Sequence, residues 1–294
     1  MPIPTSPERR ARVIVDTDAK NECDDQFAIV HALLTPSFEI PSVIAAHFGN
    51  RRGDQSMRES RNEIDHLIDL MGLTGTIHVD DGGTSAMKDR VTPVTSAGAE
   101  TIVREAMAND PRPLHVAFYG PLTDMAAALL LEPRIAERNV RVVWIGGGAY
   151  PDGGSEFNLS NDVIAADMVF ASGVEVWQLP RPVYELMPVG YAELEERVGS
   201  CGRLGRYLVD QVVQFNTSYV DGPIEFRSLG DSPAVGVIMY PACGPWSMRP
   251  APTINNDMSY SHRGDRRPIR VYGSVDARFI HEDFFAKLRR HTRW

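Results

Sequence analysis

Asp16, Asp18, Glu22, Asp24 and Asp25 place five carboxylates within ten residues near the start of the chain, in the run VIVDTDAKNECDDQFAIVHALL over positions 13–34. Crowded carboxylates can bind a hard cation through oxygen, take a proton from an attacking water, or steady a developing positive charge. They also repel one another, which raises their pKa values unless a cation or hydrogen-bond donors keep them ionised. A divalent metal with oxygen ligands is the simplest resolution. Asp24 and Asp25 are adjacent, and successive helical residues diverge by roughly a quarter turn, so the two can serve one centre in different roles. Further polar groups follow strand-like or glycine-rich runs: Asn50 after Phe48-Gly49, Glu156 and Asn158 in EFN, and Asp231 ahead of the apolar run SPAVGV.

The surrounding pattern places these groups at strand ends. Val13 to Val15 reads as a short buried strand, and Phe27, Ile29, Val30, Leu33 and Leu34 read as the buried stripe of a helix opened by Asp24 and Asp25. Strands are expected at 38–48, 77–79, 114–119, 140–145 and 174–179. Helices are expected at 54–71, 94–108, from Pro121 to Leu131, at 161–172 and over 191–220, with DDGG at 80–83 as a loop and Gly146-Gly147-Gly148 as a close-approach turn. The segment after Asp231, rich in Pro and Arg, has the weakest pattern. Repeated strand and helix alternation predicts an α/β fold with an open, mostly parallel sheet and helices on both faces, in a single domain over 1–294. Ligands of such sheets bind outside the carboxyl ends of the strands, where the carboxylates fall.

Composition narrows the class. The chain has 294 residues, 43% hydrophobic and 23% charged, with a formal net charge of -9, which suits a globular protein and argues against nucleic acid as a partner. Cys23, Cys201 and Cys243 are odd in number and far apart. They form no metal motif and suit a reducing cytoplasm. MPIPTSPERRAR at the start lacks the apolar core of a secretory signal, and no run of 18 apolar residues suggests a membrane span.

Taken in order, DTD, DD, GPLTD at 120–124, an apolar strand into GGG, EFN, and Asp231 before a small apolar run resemble the nucleoside hydrolase family of the inosine/uridine-preferring type. The motifs span residues 13–235. That resemblance implies a calcium-dependent ribohydrolase on a Rossmann-like core, cleaving the N-glycosidic bond of a nucleoside or related N-riboside to free base and ribose, often as a homodimer or homotetramer. By position it implies Asp18, Asp25 and Asp231 as calcium carboxylates, Asp25 bidentate, with the backbone carbonyl of Tyr119 as a further ligand. It implies Asp24 as general base, Asn50, Glu156 and Asn158 on the ribose hydroxyls, and Asp16 supporting the loop from behind. Three carboxylates and a carbonyl leave a calcium ion room for water and two ribose hydroxyls.

The departures are as specific as the matches. The family usually has three residues between the second Asp of DTD and the DD pair. Here five intervene, Ala19 to Cys23, so Asn21 or Glu22 is expected to reach the pocket. Gly230 stands where many members have a His before the last calcium Asp, commonly assigned to the leaving group. Replacement donors are His47, Arg227, His262 or Tyr219, and Phe48, Tyr150, Phe226 or Trp246 could stack on a flat aglycone. Two other readings compete. A haloacid dehalogenase-like phosphotransferase would use Asp16 as nucleophile, although Lys20 stands where that pattern wants Thr or Val. A catalytically altered relative would bind or process an unusual ribosylated metabolite.

Overall fold

The computed structural model describes residues 6–49 and 55–292, so Asn50 lies outside the described residues. In chain order the elements are β1 (Ala11–Thr17), α1 (Asp25–Leu33), β2 (Phe38–Glu39), β3 (Val43–Ala45), α2 (Gln55–Leu70), β4 (Val79–Asp81), α3 (Ala97–Met107), β5 (Leu114–Phe118), α4 (Thr123–Leu131), β6 (Val140–Ile145), α5 (Phe157–Asn161), α6 (Val163–Ala171), β7 (Glu175–Leu179), α7 (Arg181–Tyr184), β8 (Pro188–Gly190), α8 (Tyr191–Leu194), α9 (Gly202–Tyr219), β9 (Phe226–Ser228), α10 (Ser232–Met239), β10 (Trp246–Pro250), β11 (Thr253–Ile254), β12 (Tyr260–Ser261), β13 (Pro268–Tyr272) and α11 (Ala277–His291). Nine strands form the central sheet in the order β10-β13-β7-β6-β5-β1-β3-β4, with β2 also on β1. Pairing is parallel except between β10 and β13. The open, mostly parallel sheet read from the sequence is present.

A strand sends alternate side chains to opposite faces, and β1 uses this to feed two cores. Val13 and Val15 pack with Phe27, Leu67, Val235 and Phe285 on one face. Ile14 packs with Ile44, Phe118, Trp144 and Phe170 on the other. The same alternation carries past the apolar run, so Asp16 emerges on the second face and Thr17 on the first.

Four sequence expectations change. The strand expected at 38–48 is two short pieces, because Pro41 has no N–H to give the ladder. Ala11 pairs with Phe38 but Val15 pairs with Val43, so one extra residue bulges between them. Asp80 and Asp81, expected in a loop, end β4, where the Ser42 hydroxyl donates to Asp80 Oδ2 at 2.8 Å. The helix expected at 161–172 is α5 and α6, divided at Asp162, whose side chain caps α6 by accepting from Ala165 N. The helix expected at 191–220 is α8, a π-helical turn at Glu195–Gly199, and α9. The break is enforced at Gly205, where any Cβ would stand 2.0 Å from the Val198 carbonyl oxygen. Among the described residues no helix is long and apolar enough to cross a membrane.

Candidate active site

The ends of β1, β5 and β6 and the starts of α1 and α10 meet at one place. Asp18 follows β1, Tyr119 follows β5, Asp24 and Asp25 open α1, and Asp231 occupies the N-cap position of α10. One oxygen from each of Asp24, Asp25 and Asp231 lies within 4.8 Å of the other two. Asp18, Asp25 and Asp231 are almost wholly buried, and Asp24 is the most open of the four. The helix starts contribute positive dipole ends to this cluster, yet donors are few. Thr17 Oγ1 donates to Asp25 Oδ1 at 2.5 Å, Gly230 N donates to Asp24 Oδ2 at 2.9 Å, and Asp18 Oδ2 is buried with no donor at all.

Burial first, then neighbouring carboxylates, hold Asp18, Asp25 and Asp231 well above the usual carboxylate range. Burial also raises Asp24, but Arg227 and backbone N–H groups, Gly230 among them, pull it back. Buried hard oxygen donors converging with an orphan acceptor fit a hard divalent cation. Asp18 presses so closely on Gly120 that a Cβ there would lie 3.0 Å from its Cγ, which fixes the chain's path behind the cluster.

The other sequence-predicted residues fall as follows. Asp16 is fully buried on the opposite face of β1, against Asp124; burial first, then the Asp124 charge, push it well above the carboxylate range. Its backbone carbonyl accepts from Tyr119 N at 2.9 Å, so it braces β5 from behind. A group so enclosed cannot attack a substrate, which removes the phosphotransferase reading. The Tyr119 carbonyl accepts from Asn158 Nδ2 at 2.9 Å, and the same amide donates to the Ile145 carbonyl at 2.9 Å. Asn158 thus has only Oδ1 left for a ligand. Glu156 caps α5 and takes donors from Asn158 N, Leu159 N, Gly147 N and the Tyr184 hydroxyl at 2.8 to 3.1 Å. Its oxygens are engaged, and it lines the pocket as an organiser of the wall.

The long spacer is tied at several points. Asn21 N donates to the Asp18 carbonyl at 2.8 Å. Lys20 reaches Glu63 of α2 at 2.8 Å, Gln26 donates to the Ala19 carbonyl at 2.6 Å and to Glu63 at 3.1 Å, and Tyr207 of α9 donates to Glu63 at 2.6 Å. Glu22 pairs with Arg227. Burial pushes the Cys23 thiol up, so it is an inert wall residue.

Three cavities converge here. A space of about 50 Å³ lies over Asp24, Tyr119, Asn158 and Asp231. A cavity of about 560 Å³ borders Asp24, Tyr184, Phe226, Arg227 and Gly230, and one of about 1070 Å³ borders Phe48, Asn161, Phe215 and Tyr219. The largest contains none of the four clustered aspartates, so the chemistry belongs to the smaller two. Of the donor candidates, His47 is fully buried between Gly49 N at 3.1 Å and the Thr123 hydroxyl at 2.8 Å, and burial brings it down to about 4. His262 bonds the Pro151 carbonyl at 2.7 Å, and Tyr150 and Trp246 border a separate groove beside β10 and β13. The sequence reading gave no role to Thr17, Tyr184 or Phe157, and Glu22 and Phe157 border all three cavities. Thr17 was findable, since strand alternation turns it toward α1; nothing local marks Tyr184.

A carboxylate-floored cleft at the strand ends of an open parallel sheet is the layout of an α/β enzyme acting on a small polar substrate. Residues 13–271 match the model of the inosine-uridine preferring nucleoside hydrolases, and the chain belongs to that family, as an N-glycosidase of ribonucleosides. It is 27% identical over 226 residues to a probable uridine nucleosidase 2 of Arabidopsis thaliana, covering 68% of each chain. It is 26% identical over 228 residues to the pyrimidine-specific ribonucleoside hydrolase RihA of Citrobacter koseri, covering 70% of this chain and 71% of that one. Its fold is similar to that of a purine-preferring ribonucleoside hydrolase from Gardnerella vaginalis, with a TM-score of 0.78, 19% identity and coverage of 96% and 99%. A plant nucleoside hydrolase gives a TM-score of 0.75 at 18% identity over 95% and 99%.

Proposed function

We propose that this enzyme hydrolyses the N-glycosidic bond of a ribonucleoside, giving free base and ribose, in a reaction that requires calcium. The observation that carries the calcium requirement is the convergence of buried, donor-poor carboxylates, with Asp18 Oδ2 unpartnered. Asp18, Asp25, Asp231 and the Tyr119 carbonyl would hold the ion. Calcium, when bound, supplies a Lewis acid that acidifies a water and fixes the ribose hydroxyls.

The chain's own groups do the rest. Asp24 is the general base: it is the most open carboxylate of the cluster, and the Gly230 N–H on Oδ2 orients it while leaving Oδ1 to receive a proton. Asn158 accepts from a ribose hydroxyl through Oδ1, because both of its amide hydrogens are committed. Asn50 is proposed for the ribose hydroxyls on its motif position alone. Glu156 shapes the ribose wall through its four donors. The oxocarbenium-like transition state carries positive charge, and the carboxylate floor stabilises it electrostatically. A cavity of about 560 Å³ accommodates a purine or a pyrimidine.

One continuous sheet with a core on each face supports a single domain, and three buried free cysteines support a reducing, cytoplasmic setting. A homodimer or homotetramer follows the family habit. The deciding experiment is release of free base from a panel of purine, pyrimidine and modified nucleosides, with calcium and with chelator. Base release only with calcium is expected. Calcium binding without cleavage of any nucleoside would leave a binder of ribosylated ligands instead.

A further inference from the structure

One ion pair stands over the carboxylates. Arg227 of β9 reaches Glu22 of the spacer through Nη2, and its guanidinium carbon lies 4.6 Å from the centre of the Phe215 ring on α9. Glu22 borders all three cavities, and Arg227 borders the 560 Å³ cavity beside Asp24. A base leaving a ribose seated over Asp24, Asn158 and Asp231 therefore meets this pair on its way out.

Arg227 also has capacity to spare. Its side chain is 17% exposed, yet its Nε–H is buried with no acceptor. Leaving a charged donor unpaired is costly; the exposed part of the Arg227 side chain, which Nε does not share, borders the 560 Å³ cavity. Arg181 also borders this cavity, but it is half exposed and its Nε donates to Glu185 at 2.6 Å; the nearer groups are already committed. Tyr184 gives its hydroxyl to Glu156 at 2.8 Å, and Gly230 gives its N–H to Asp24. A Cβ on residue 230 would stand 3.0 Å from Asp24 Oδ2 and 3.2 Å from Tyr184 Cδ2, so any side chain there must displace one of them.

We propose that Arg227 is the leaving-group residue of this enzyme, donating a charge-assisted hydrogen bond to the departing base, and that Glu22 is its positioning residue. The proposal rests on the ribohydrolase reading above. In the step, the bond between C1′ and the base nitrogen breaks and its electron pair leaves with the base. Water forms the new C1′–O bond and passes a proton to Asp24. The base anion, held by Arg227, takes a proton from solvent, and Asp24 returns one to solvent. Arg227 keeps its proton throughout, since a guanidinium does not ionise at working pH. The longer spacer and the glycine at 230 thus belong together: the spacer brings Glu22 to Arg227, and Arg227 supports the leaving group where residue 230 has no side chain to do so.

The test compares two substrates on the calcium-loaded full chain. One is uridine, or the nucleoside of the panel cleaved fastest; the other is 4-nitrophenyl β-D-riboside, whose phenolate departs unaided. For Arg227→Met, kcat/KM on the nucleoside should fall on the order of 10² to 10³-fold, as when a preorganised donor to developing charge is removed. On the activated riboside it should fall about fivefold or less, which also shows that the variant is folded. Glu22→Gln should give the same selectivity change at smaller size, in kcat more than in KM. Equal losses on both substrates, or undiminished nucleoside cleavage, overturn the proposal while leaving the hydrolase intact. A wild-type chain that binds calcium and cleaves neither substrate overturns the hydrolase reading and this proposal with it.

Discussion

Two groups of buried carboxylates sit on opposite faces of β1, and they are provisioned differently. On the far face Asp124 accepts from Gly83 N at 3.0 Å and from the Ser96 hydroxyl, and Asp162 accepts from Met87 N, Ala165 N and the Thr123 hydroxyl at 2.7 to 2.9 Å. Asp16 faces Asp124, where burial and the Asp124 charge push its carboxyl well above the usual range and no donor from another group reaches either oxygen. On the near face Asp18, Asp24, Asp25 and Asp231 gather around the donors of Thr17 and Gly230. Asp124 and Asp162 are matched by donors and Asp16 has only the Asp124 carboxyl beside it, whereas the near face crowds four carboxylates around two donors: buried polar groups are normally paired, so the near-face crowding marks where something else is meant to bind.

The sharpest way to break this contrast is at the near face. Asp25→Asn or Asp231→Asn should abolish calcium binding by titration calorimetry and lower turnover by more than about 10³-fold, since the Lewis acid goes with the ion. Asp24→Asn should lower kcat by about 10² to 10⁴-fold, the range for a positioned base, with calcium affinity retained. Loss of calcium binding in that variant would move Asp24 into the ligand set, where its distance from Asp25 and Asp231 also allows it.

On the far face, Asp124→Asn should leave calcium binding and cleavage largely intact and cost about 1 to 3 kcal/mol in denaturant unfolding, through hydrogen bonds left unmatched. Its pH signature has a definite sign. Burial raises the Asp124 carboxyl to about 6, so the stability it contributes is complete below about pH 4 and lost as pH rises through 6. In chelator the wild type should lose melting temperature over that window, and the Asn variant should show a flatter limb. The smallest effect is expected at Lys20→Met, whose half-exposed ion pair with Glu63 is worth under about 1 kcal/mol.

The legibility of this molecule followed the range of the interactions involved. The strand-to-helix junction at Asp16 to Asp25 was readable because hydrophobic period changes from 2 to 3.6 within a few residues. The same holds for the strands at 114–118 and 140–145, the first mostly apolar and the second β-branched, which face a core on both sides. What could not be read was set by partners far away in sequence. Asp80 joins a strand because Ser42 satisfies it. The pattern over 191–220 is helical throughout, and the break comes from α9 packing on the Val198 carbonyl. Within the site, residue types located the aspartates, but Glu156 as a saturated cap, Tyr184 as its donor and Arg227 on Glu22, 205 positions apart, depend on tertiary closure.

The extra residue beside β1 carries a consequence of its own. Ahead of Pro41 the partner of a β1 residue lies 27 positions further along the chain, and after it 28. A strand has only two faces, so that single offset decides that Val43 and Ala45 join the core above α1 while Ile44 joins the one below. Deleting Pro41 would act like a frameshift in side-chain space, exchanging the two cores along β3 and reversing the sides to which His47 and Phe48 are turned.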